Sequence, residues 1–444
     1  MRSRQGEQAM SITTEDIAIL GGGLAGLTAG YISGAPVFEA QDSPGGVASS
    51  DKVDGFVFDR GIHVLQTNNK IVLNLLDELG VRFTEVTRYA YIYARGVYTS
   101  YPFQVNSTGL PISLRLRCVR DFLRKDRLPP PGNYEDWIRS SVGNGFADTF
   151  LIPYSEKFWG VHPREMTFEW TGNRVPQPTT WQVLRGAVID RRTGIGSNAT
   201  FRYPTQGGYG SIAEALAARQ SRLSLGHRAT AIDLPRREVR FANGHAVRYR
   251  RLISTISLPE FVRLASPVPE EVRQAAGRLR TNSIFVVNLG IAGDLRPVRH
   301  WIHFPEPDIA FFRVSLPGHF VDSTTPHGHA SISAEIAYHG TPPDPAAAID
   351  RTIADLRRVG LLSDETRIVA TSTADIRRAY VIYDFDRRAA LETIHAWMRR
   401  HHVVPSGRYG LWTYFWSDEA MLSGRKAAQL VMTAAPERVA ELVD

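Results

Sequence analysis

Three glycines near the start of the chain have the spacing of a phosphate-binding turn. Gly21, Gly23 and Gly26 follow an apolar stretch at 17–20 and open a helical stretch at 24–32. In such a turn the first glycine lets the chain bend tightly, the second lets the main chain approach a pyrophosphate, and the third lets the helix pack closely on the strand. Free N–H groups of the helix then bind phosphate oxygens. A glycine turn in an unrelated βαβ unit is the alternative interpretation.

A carboxylate follows these glycines at the end of the next apolar stretch, 35–38. It belongs to Glu39, which can accept hydrogen bonds from the diol of a ribose. The helix between Gly26 and Glu39 must be short if both residues serve one ligand. The sequence therefore predicts a dinucleotide site in which the glycines hold the phosphates and Glu39 holds a ribose.

The next motifs resemble the glutathione-reductase-type FAD superfamily. A double glycine follows Glu39, and the segment 58–63 then reads Phe-Asp-Arg-Gly-Ile-His. In that superfamily the double glycine lies beside the FAD pyrophosphate, and the later segment passes under the isoalloxazine ring. The resemblance implies FAD as the cofactor, with contacts from Gly45, Gly46, Ala48, Ser49, Gly61, Ile62 and His63. Val47 replaces the usual basic residue, and a hydrogen-bonded loop histidine is the alternative for His63.

Motifs spread over the rest of the chain resemble UDP-galactopyranose mutase and its flavoprotein relatives. They are Asn106 after Tyr-Pro-Phe-Gln, the segment 153–160, Arg174 before Val-Pro, Arg313 after Phe-Phe, and Gly407-Arg408 with Tyr414 and Asp418. Protoporphyrinogen-oxidase-like and amine-oxidase-like proteins share the glycine-rich start and the Tyr-x-x-Lys-x-Trp-Gly segment. The chain is therefore identified as a mutase-like member of this FAD-dependent superfamily.

The mutase resemblance implies a nucleotide-diphosphate sugar as the substrate. Arg174, Arg313 and Arg408 would surround the diphosphate, and with His63 they form the predicted catalytic set. The implied substrate-binding set comprises Asn106, Tyr154, Trp159, Tyr380 and Tyr414, with Trp159 and Arg174 on a mobile loop. Planar guanidinium groups suit the task because they give phosphate both charge and paired donors. Taken singly, each arginine could instead form an ion pair, and Trp159 could pack in the core.

The same resemblance implies chemistry without net oxidation or reduction. In the mutase family, N5 of reduced FAD attacks the anomeric carbon of the sugar, the nucleotide leaves, and the opened ring closes as a furanose for polysaccharide biosynthesis. A helix opening near Asp418 would direct its N-terminal dipole at the flavin and stabilise the reduced ring. Gly407, Arg408, Asp418 and Met421 therefore join the predicted FAD contacts, and NAD(P)H is a possible reductant.

Two other functions remain open on the sequence. One is FAD-dependent oxidation of an amine, a porphyrinogen or an alicyclic ring. Amine oxidases of the superfamily place a lysine near N5, and among the five lysines Lys157 and Lys426 lie in helical segments. Bulky residues around Tyr414 also favour an apolar pocket. The other function is a non-catalytic flavoprotein that binds a partner, against which the arginine-bearing motifs argue.

Composition indicates a globular enzyme of two or three domains. The 444 residues are 43% hydrophobic and 22% charged, with a formal net charge of +7. The arginines are scattered, which argues against nucleic acid as a partner. A single cysteine, Cys118, excludes an internal disulfide and favours a reducing compartment. The first residues lack the apolar core of a signal peptide, and no apolar stretch could span a bilayer, so we expect a cytoplasmic protein of undetermined oligomeric state.

An α/β fold must bring these motifs together. We expect a Rossmann-like, glutathione-reductase-type FAD-binding domain made of 14–85, 200–280 and 400–444. An inserted helical substrate domain would cover 104–199, and a second, antiparallel β-sheet substrate domain would combine 86–103 with 281–399. Local patterns predict hairpin turns at Arg95-Gly96 and Asn243-Gly244, and strands at 227–234, 237–241 and 245–249.

Overall fold

The structure is a computed structural model that describes residues 11–127, 129–172, 174–175, 177–189 and 199–433, with the main chain only at residue 11. The strands are β1 Ser11–Leu20, β2 Val37–Phe38, β3 Ser50–Val53, β4 Phe56–Asp59, β5 Phe83–Thr87, β6 Ala90–Ala94, β7 Val97–Ser100, β8 Thr200–Pro204, β9 Leu223–Ser224, β10 Ala229–Asp233, β11 Glu238–Phe241, β12 His245–Ser254, β13 Ala265–Ser266, β14 Ser283–Ala292, β15 Trp301–His303, β16 Arg313–Ser315, β17 His329–Tyr338, β18 Ile368–Ile376 and β19 Val403–Pro405. The helices are α1 Leu24–Ser33, α2 Lys70–Glu78, α3 Ile112–Leu123, α4 Tyr134–Phe146, α5 Ile152–Trp159, α6 Thr180–Gly186, α7 Ser211–Ala218, α8 Leu258–Leu264, α9 Glu270–Arg278, α10 Pro345–Arg358, α11 Arg387–Arg400, α12 Gly407–Gly410 and α13 Ser417–Thr433.

In the first large sheet, the glycine motif follows an inner strand, β1. Its strand order is β13-β10-β11-β12-β1-β2-β9, and β19 also pairs with β12. The strands β12, β1, β2 and β9 run parallel, whereas β10, β11 and β12 form an antiparallel meander. The glycine turn follows the last residue of β1, so it lies at the carboxyl edge of the parallel strands. Ligands of open α/β sheets bind at this edge.

Two helices from opposite ends of the chain pack against each other beside this sheet. The helices α1 and α13 approach closely at Gly424, where a Cβ would lie 2.0 Å from the carbonyl oxygen of Ala25. The terminal helix therefore packs directly beside the helix that follows the glycine turn.

The second large sheet is mostly antiparallel, with strand order β18-β14-β17-β16-β15-β6-β7. Its long central pair, β14 and β17, is aligned over ten residues. In one row across the sheet His303 lies opposite Arg313, and Arg313 lies opposite Glu335. Since opposite residues of paired strands present their side chains on the same face, these three polar groups point to one side.

Among the described residues of 103–189 the regular structure is helical, with α3 to α6 and no strand. Helices α3 and α4 pack tightly because Gly143 and Gly145 of α4 face the main chain of α3, and a π-helical turn, Ala147–Leu151, joins α4 to α5. Residues 190–198 of the predicted helical domain lie outside the described residues, as do 434–444 of the predicted FAD-binding domain. The predicted domain limits stay a prediction.

Two local predictions differ from the structure. The strand predicted at 245–249 continues without a break to Ser254 as β12, because its outer half pairs with β11 and its inner half with β19. The apolar stretch 35–38 before Glu39 forms a strand only over Val37–Phe38. The turns at Arg95-Gly96 and Asn243-Gly244 are confirmed, and the positive φ angles of Arg95, Gly96 and Gly244 (54°, 80° and 83°) fit them.

Candidate functional site

The glycine turn after β1 forms a cradle in which main-chain segments approach each other closely. Gly21 has a φ of +98°, and a Cβ at Gly26 would lie 1.9 Å from the carbonyl oxygen of Gly21. Gly23 forms a bridge with Gly45, and a Cβ at Gly46 would meet only the Cα of Gly23, at 3.7 Å. The main chain of the glycine turn therefore faces the main chain of the double glycine with no side chain between them. This leaves room for a pyrophosphate, and the residues present fit FAD.

Glu39 is close to this cradle and already binds main-chain groups. Its carboxylate accepts hydrogen bonds from the N–H of Gly22 at 2.6 Å and from the N–H of Gln41 at 2.8 Å. Each carboxylate oxygen keeps a further lone pair for a ribose hydroxyl. The side chain is buried, and its orientation is fixed before any ligand arrives.

Beyond the double glycine the chain turns into the β3–β4 hairpin. Ala48 and Ser49 are both buried there, and the Ser49 hydroxyl donates to the carbonyl of Gly46. At the end of β4, Asp59 accepts hydrogen bonds from the Tyr203 hydroxyl and the Tyr209 N–H. These bonds fix the start of the loop that contains Gly61, Ile62 and His63.

A cavity of about 320 Å³ lies next to this loop. Its walls come from many parts of the chain, chiefly the loop 60–66, the helical region 134–159, the residues Trp170, Arg174 and Val175, the second sheet, the segment 376–380 and the segment 408–417. Ten predicted site residues line it: Gly61, Ile62, His63, Tyr154, Trp159, Arg174, Arg313, Tyr380, Arg408 and Tyr414. Residues from almost the whole length of the chain thus meet in one place.

Asn106 does not line this cavity. It is buried after the turn 103–105, and its side-chain amide donates to the carbonyl of Pro102 at 3.3 Å. In this arrangement the amide supports the local turn, and substrate binding by Asn106 stays a prediction.

Trp159 lines the cavity from a helix, which contradicts the predicted mobile loop. It is the last residue of α5 and is 1% exposed. Its ring packs edge-on against Trp170 and Tyr414, with centroid distances of 4.9 and 5.7 Å. Arg174 belongs to a different, non-helical segment. Trp159 thus packs among aromatic rings while it lines the cavity, and its role in substrate binding stays a prediction.

The three predicted arginines differ in how their charge is balanced. Arg313 forms a buried ion pair with Glu335, and Arg174 pairs with Glu419 at 2.9 Å. Arg408 instead donates to the main-chain carbonyls of Phe415 and Ala379. No carboxylate of the described residues forms an ion pair with Arg408.

Tyrosine hydroxyls complete the polar part of the cavity. Tyr154 is hydrogen-bonded to Nδ1 of His303 at 2.9 Å, and Tyr380 accepts from Arg313 at 3.5 Å. Burial raises the pKa of Tyr380 to about 12 and holds the pKa of Tyr154 well above its usual value. Both phenols therefore keep their protons at neutral pH. Tyr380 accepts from Arg313 and can donate to a ligand, and Tyr154 can do so in the tautomer in which Nδ1 of His303 carries the proton. Burial also lowers the pKa of His303 well below its usual value, so this imidazole is neutral.

His63 stacks on Tyr209, with ring centroids 5.3 Å apart. Its Nδ1 is 3.1 Å from the carbonyl of Gly61, so Nδ1 carries the proton and Nε2 is the acceptor. Burial, with a further contribution from the charge of Arg408, lowers the pKa of His63 to about 4. The side chain is a neutral acceptor in the cavity wall.

The N-terminus of α13 lies at the cavity. Trp416 and Ser417 line it, and the Ser417 hydroxyl is hydrogen-bonded to Tyr209. Asp418 follows in the first turn, whereas Met421 is 1% exposed and packs in an apolar cluster with Leu24 and Ala48. Neither Asp418 nor Met421 lines the cavity, nor does Gly407.

No lysine among the described residues lines this cavity. The ammonium group of Lys157 donates to the carbonyls of Phe304, Glu306 and Phe311. Lys426 lies in a separate groove of about 660 Å³ between α11 and α13, which Thr413 and Phe415 also line. The two lysines considered for an amine oxidase are thus placed elsewhere.

Several lining residues were not anticipated from the sequence, namely Arg88, Tyr101, Trp301, His303 and Glu335. Alternation in β17 puts Glu335 on the same face as Ser331 and Ser333, so no local signal marked it as a cavity residue. His303 lies in a short strand, also without a local signal. Within the described parts of the chain, neither a helix able to cross a membrane nor a cluster of metal-binding side chains occurs.

Comparison with known proteins supports the resemblance inferred above. A crystal structure of reduced UDP-galactopyranose mutase is similar over 96% of this chain and 97% of that one, with a TM-score of 0.90 and 28% identity. Cyclohexylamine oxidase from Brevibacterium oxydans IH-35A shares the fold over 94% of this chain and 98% of its own, with a TM-score of 0.67 and 15% identity. The predicted mixed α/β fold is confirmed.

Sequence comparison gives a shorter match and a family. Coproporphyrinogen III oxidase of Staphylococcus aureus (strain NCTC 8325 / PS 47) is 24% identical over 174 residues, which are 33% of this chain and 37% of that oxidase. The profile of the flavin-containing amine oxidoreductases matches residues 35–432 and supports a flavin cofactor. The profile covers most of the chain, and the protein therefore belongs to the flavin-containing amine oxidoreductase family.

Proposed function

We propose that the protein is an FAD-dependent isomerase that interconverts the pyranose and furanose forms of a nucleotide-diphosphate sugar. The main support is Arg408, a half-buried cation bonded to carbonyl oxygens, with no carboxylate of the described residues as its ion-pair partner. A diphosphate would supply the missing negative charge. The similarity to a UDP-galactopyranose mutase over nearly the whole chain favours the same class of substrate.

In this proposal the arginines and tyrosines bind the diphosphate. Arg408 contributes a net positive charge, and Arg313 contributes donors that its ion pair with Glu335 holds in one direction. The protonated hydroxyls of Tyr154 and Tyr380 donate to phosphate oxygens. The leaving nucleotide would then develop its charge among fixed donors, which lowers the barrier more than flexible solvent does.

Bound FAD would lie with its phosphates in the glycine cradle and its ring at the loop of Gly61 to His63. Reduced FAD supplies the nucleophile for the anomeric carbon, and NAD(P)H is the proposed source of the electrons. The protein itself holds the sugar in position and excludes water with the aromatic wall around Trp159. Neutral His63 offers its Nε2 there as a hydrogen-bond acceptor without adding charge.

A second candidate is FAD-dependent oxidation of an apolar amine or ring. Its support is the aromatic wall of Phe150, Phe158 and Trp170, together with oxidases of the same fold. The absence of lysine among the described lining residues disfavours an oxidase that needs a lysine at N5.

The two candidates give different products. The protein, reduced anaerobically, is incubated with a panel of nucleotide hexopyranoses. The mutase proposal expects a product of unchanged mass with the NMR signature of a furanose. Absence of isomerisation across the panel, together with stoichiometric hydrogen peroxide from an amine or alicyclic substrate in air, would establish the oxidase.

The role of Arg408 is tested by Arg408→Ala. Loss of one charge-assisted contact, worth about 1.5–3 kcal/mol, should weaken binding of a nucleotide diphosphate roughly 10- to 100-fold. Binding is measured by the change in flavin absorption, and the flavin content should stay at the wild-type level. Arg273→Ala, on the outer face of α9, is the matched control and should bind normally. Normal binding by Arg408→Ala would remove the main support for the diphosphate.

A further inference from the structure

Glu419 connects three parts of the cavity wall. Both of its carboxylate oxygens lie 2.9 Å from Nη2 of Arg174, and one of them accepts the N–H of Trp416 at 2.7 Å. The same Nη2 of Arg174 donates to the carbonyl of Tyr414 at 2.9 Å. The carboxylate therefore joins the start of α13 to the segment that contains Arg174.

Aromatic rings confine the guanidinium in this position. The Cζ atom of Arg174 is 5.2 Å from the ring centroid of Tyr414 and 4.8 Å from that of Trp416. Contacts of this kind between a cation and a ring face are attractive and directional. Glu419 and the two rings together fix where the guanidinium lies.

Only Nη2 of Arg174 is occupied by hydrogen bonds to the described residues. Its Nε and Nη1 donors keep their capacity for another acceptor. Arg174 lines the cavity, whereas Glu419 lies behind it and lines the groove between α11 and α13. The carboxylate thus holds the guanidinium from the far side and leaves the cavity side open.

We propose that Glu419 is a positioning residue, which holds Arg174 so that its free donors face the phosphate oxygens of the substrate. This inference rests on the proposed function for the identity of the ligand. The orientation of Arg174 itself does not depend on that function. If Glu419 competed with phosphate for Arg174 instead, removing its charge would tighten ligand binding.

The test uses the FAD-loaded protein with Glu419→Gln. The glutamine oxygen can still accept the N–H of Trp416, so the start of α13 keeps its cap while the charge is lost. We expect Kd for uridine diphosphate and KM for a nucleotide sugar to rise about tenfold, with kcat changed less than about twofold. Glu392→Gln, an exposed residue of α11 in the same groove, is the control and should match the wild type.

A double variant shows whether the effect passes through Arg174. Arg174→Ala should also weaken uridine diphosphate binding, and adding Glu419→Gln to it should change nothing further. Additive losses, unchanged Kd or tighter binding in Glu419→Gln would each overturn the proposal. If Glu419→Gln folds poorly, Glu419→Asp keeps the charge on a shorter arm and should give a smaller loss.

Limited trypsin digestion gives a readout without substrate. Trypsin cleaves after arginine, so cleavage after Arg174 should become several-fold faster in Glu419→Gln than in the wild type or Glu392→Gln. An unchanged cleavage rate would contradict the positioning role. Faster cleavage combined with normal uridine diphosphate binding by Arg174→Ala would keep the positioning role but reject the diphosphate as the ligand.

Discussion

The closest main-chain contact of the glycine cradle makes a direct prediction about Gly26. In Gly26→Ala the added Cβ would lie 1.9 Å from the Gly21 carbonyl oxygen and 3.4 Å from the Thr255 hydroxyl oxygen. The first distance is far below van der Waals contact, and the nearest atom belongs to the main chain, which cannot turn away. The helix α1 must therefore move relative to β1, and overpacking of this kind costs about 1–3 kcal/mol.

The same movement would displace the N–H groups that the proposal assigns to the FAD phosphates. Gly26→Ala should therefore lose both stability and flavin, since a ligand that binds only the folded state also stabilises it. Urea denaturation gives the free energy of unfolding, and flavin absorbance per chain gives the occupancy.

Gly277→Ala is the matched control. Gly277 also lies in a helix, α9, but a Cβ there would meet nothing within 4 Å. Alanine has the higher helix propensity, so this variant should gain up to about 1 kcal/mol with unchanged flavin. The reasoning fails if Gly26→Ala keeps the wild-type flavin content and unfolding free energy, or if both variants change stability in the same direction.

Two further predictions concern buried polar groups. Lys157→Met removes three hydrogen bonds to carbonyls, so at about 1 kcal/mol for each the free energy of unfolding should fall by about 3 kcal/mol. Exposed Lys426→Met should stay within about 0.5 kcal/mol, and equal losses in urea denaturation would contradict this explanation. Burial lowers the pKa of His63 from 6.5 to about 4. Between these pH values the unfolded chain binds a proton on His63 and the folded chain does not, so the free energy of unfolding should decrease as the pH falls from about 6.5 to about 4. Denaturation of His63→Asn at several pH values should show a flatter dependence, and an unchanged slope would contradict the assignment.

Local structure that depends on neighbouring residues could be predicted from the sequence. The turn at Gly21, the hairpin at Arg95-Gly96 and the helix that begins near Asp418 follow from local residue types, and the structure has all three. Their glycines and apolar periods determine the local conformation almost alone. The family resemblance then brought together motifs from both ends of the chain.

Partners distant in the sequence could not be predicted in this way. Arg174 pairs with Glu419, which is 245 residues away, and the N–H of Ile62 donates to Glu335, which is 273 residues away. No local pattern contains such pairings, because they arise only when the sheets and helices pack. For the same reason the sequence could not tell that Asn106 supports a turn. The predicted roles of the cavity residues remain predictions.

One wall of the cavity is only a single layer of main chain thick. Along 413–416, Tyr414 and Trp416 line the cavity, while Thr413 and Phe415 line the groove behind it. The carbonyl of Phe415 accepts two hydrogen bonds from Arg408 on the inner side. A substitution of Thr413 or Phe415 in this groove would therefore act on the same main-chain segment that carries Tyr414 and Trp416, so the groove offers a route to new substrate preferences that replaces no residue of the cavity lining.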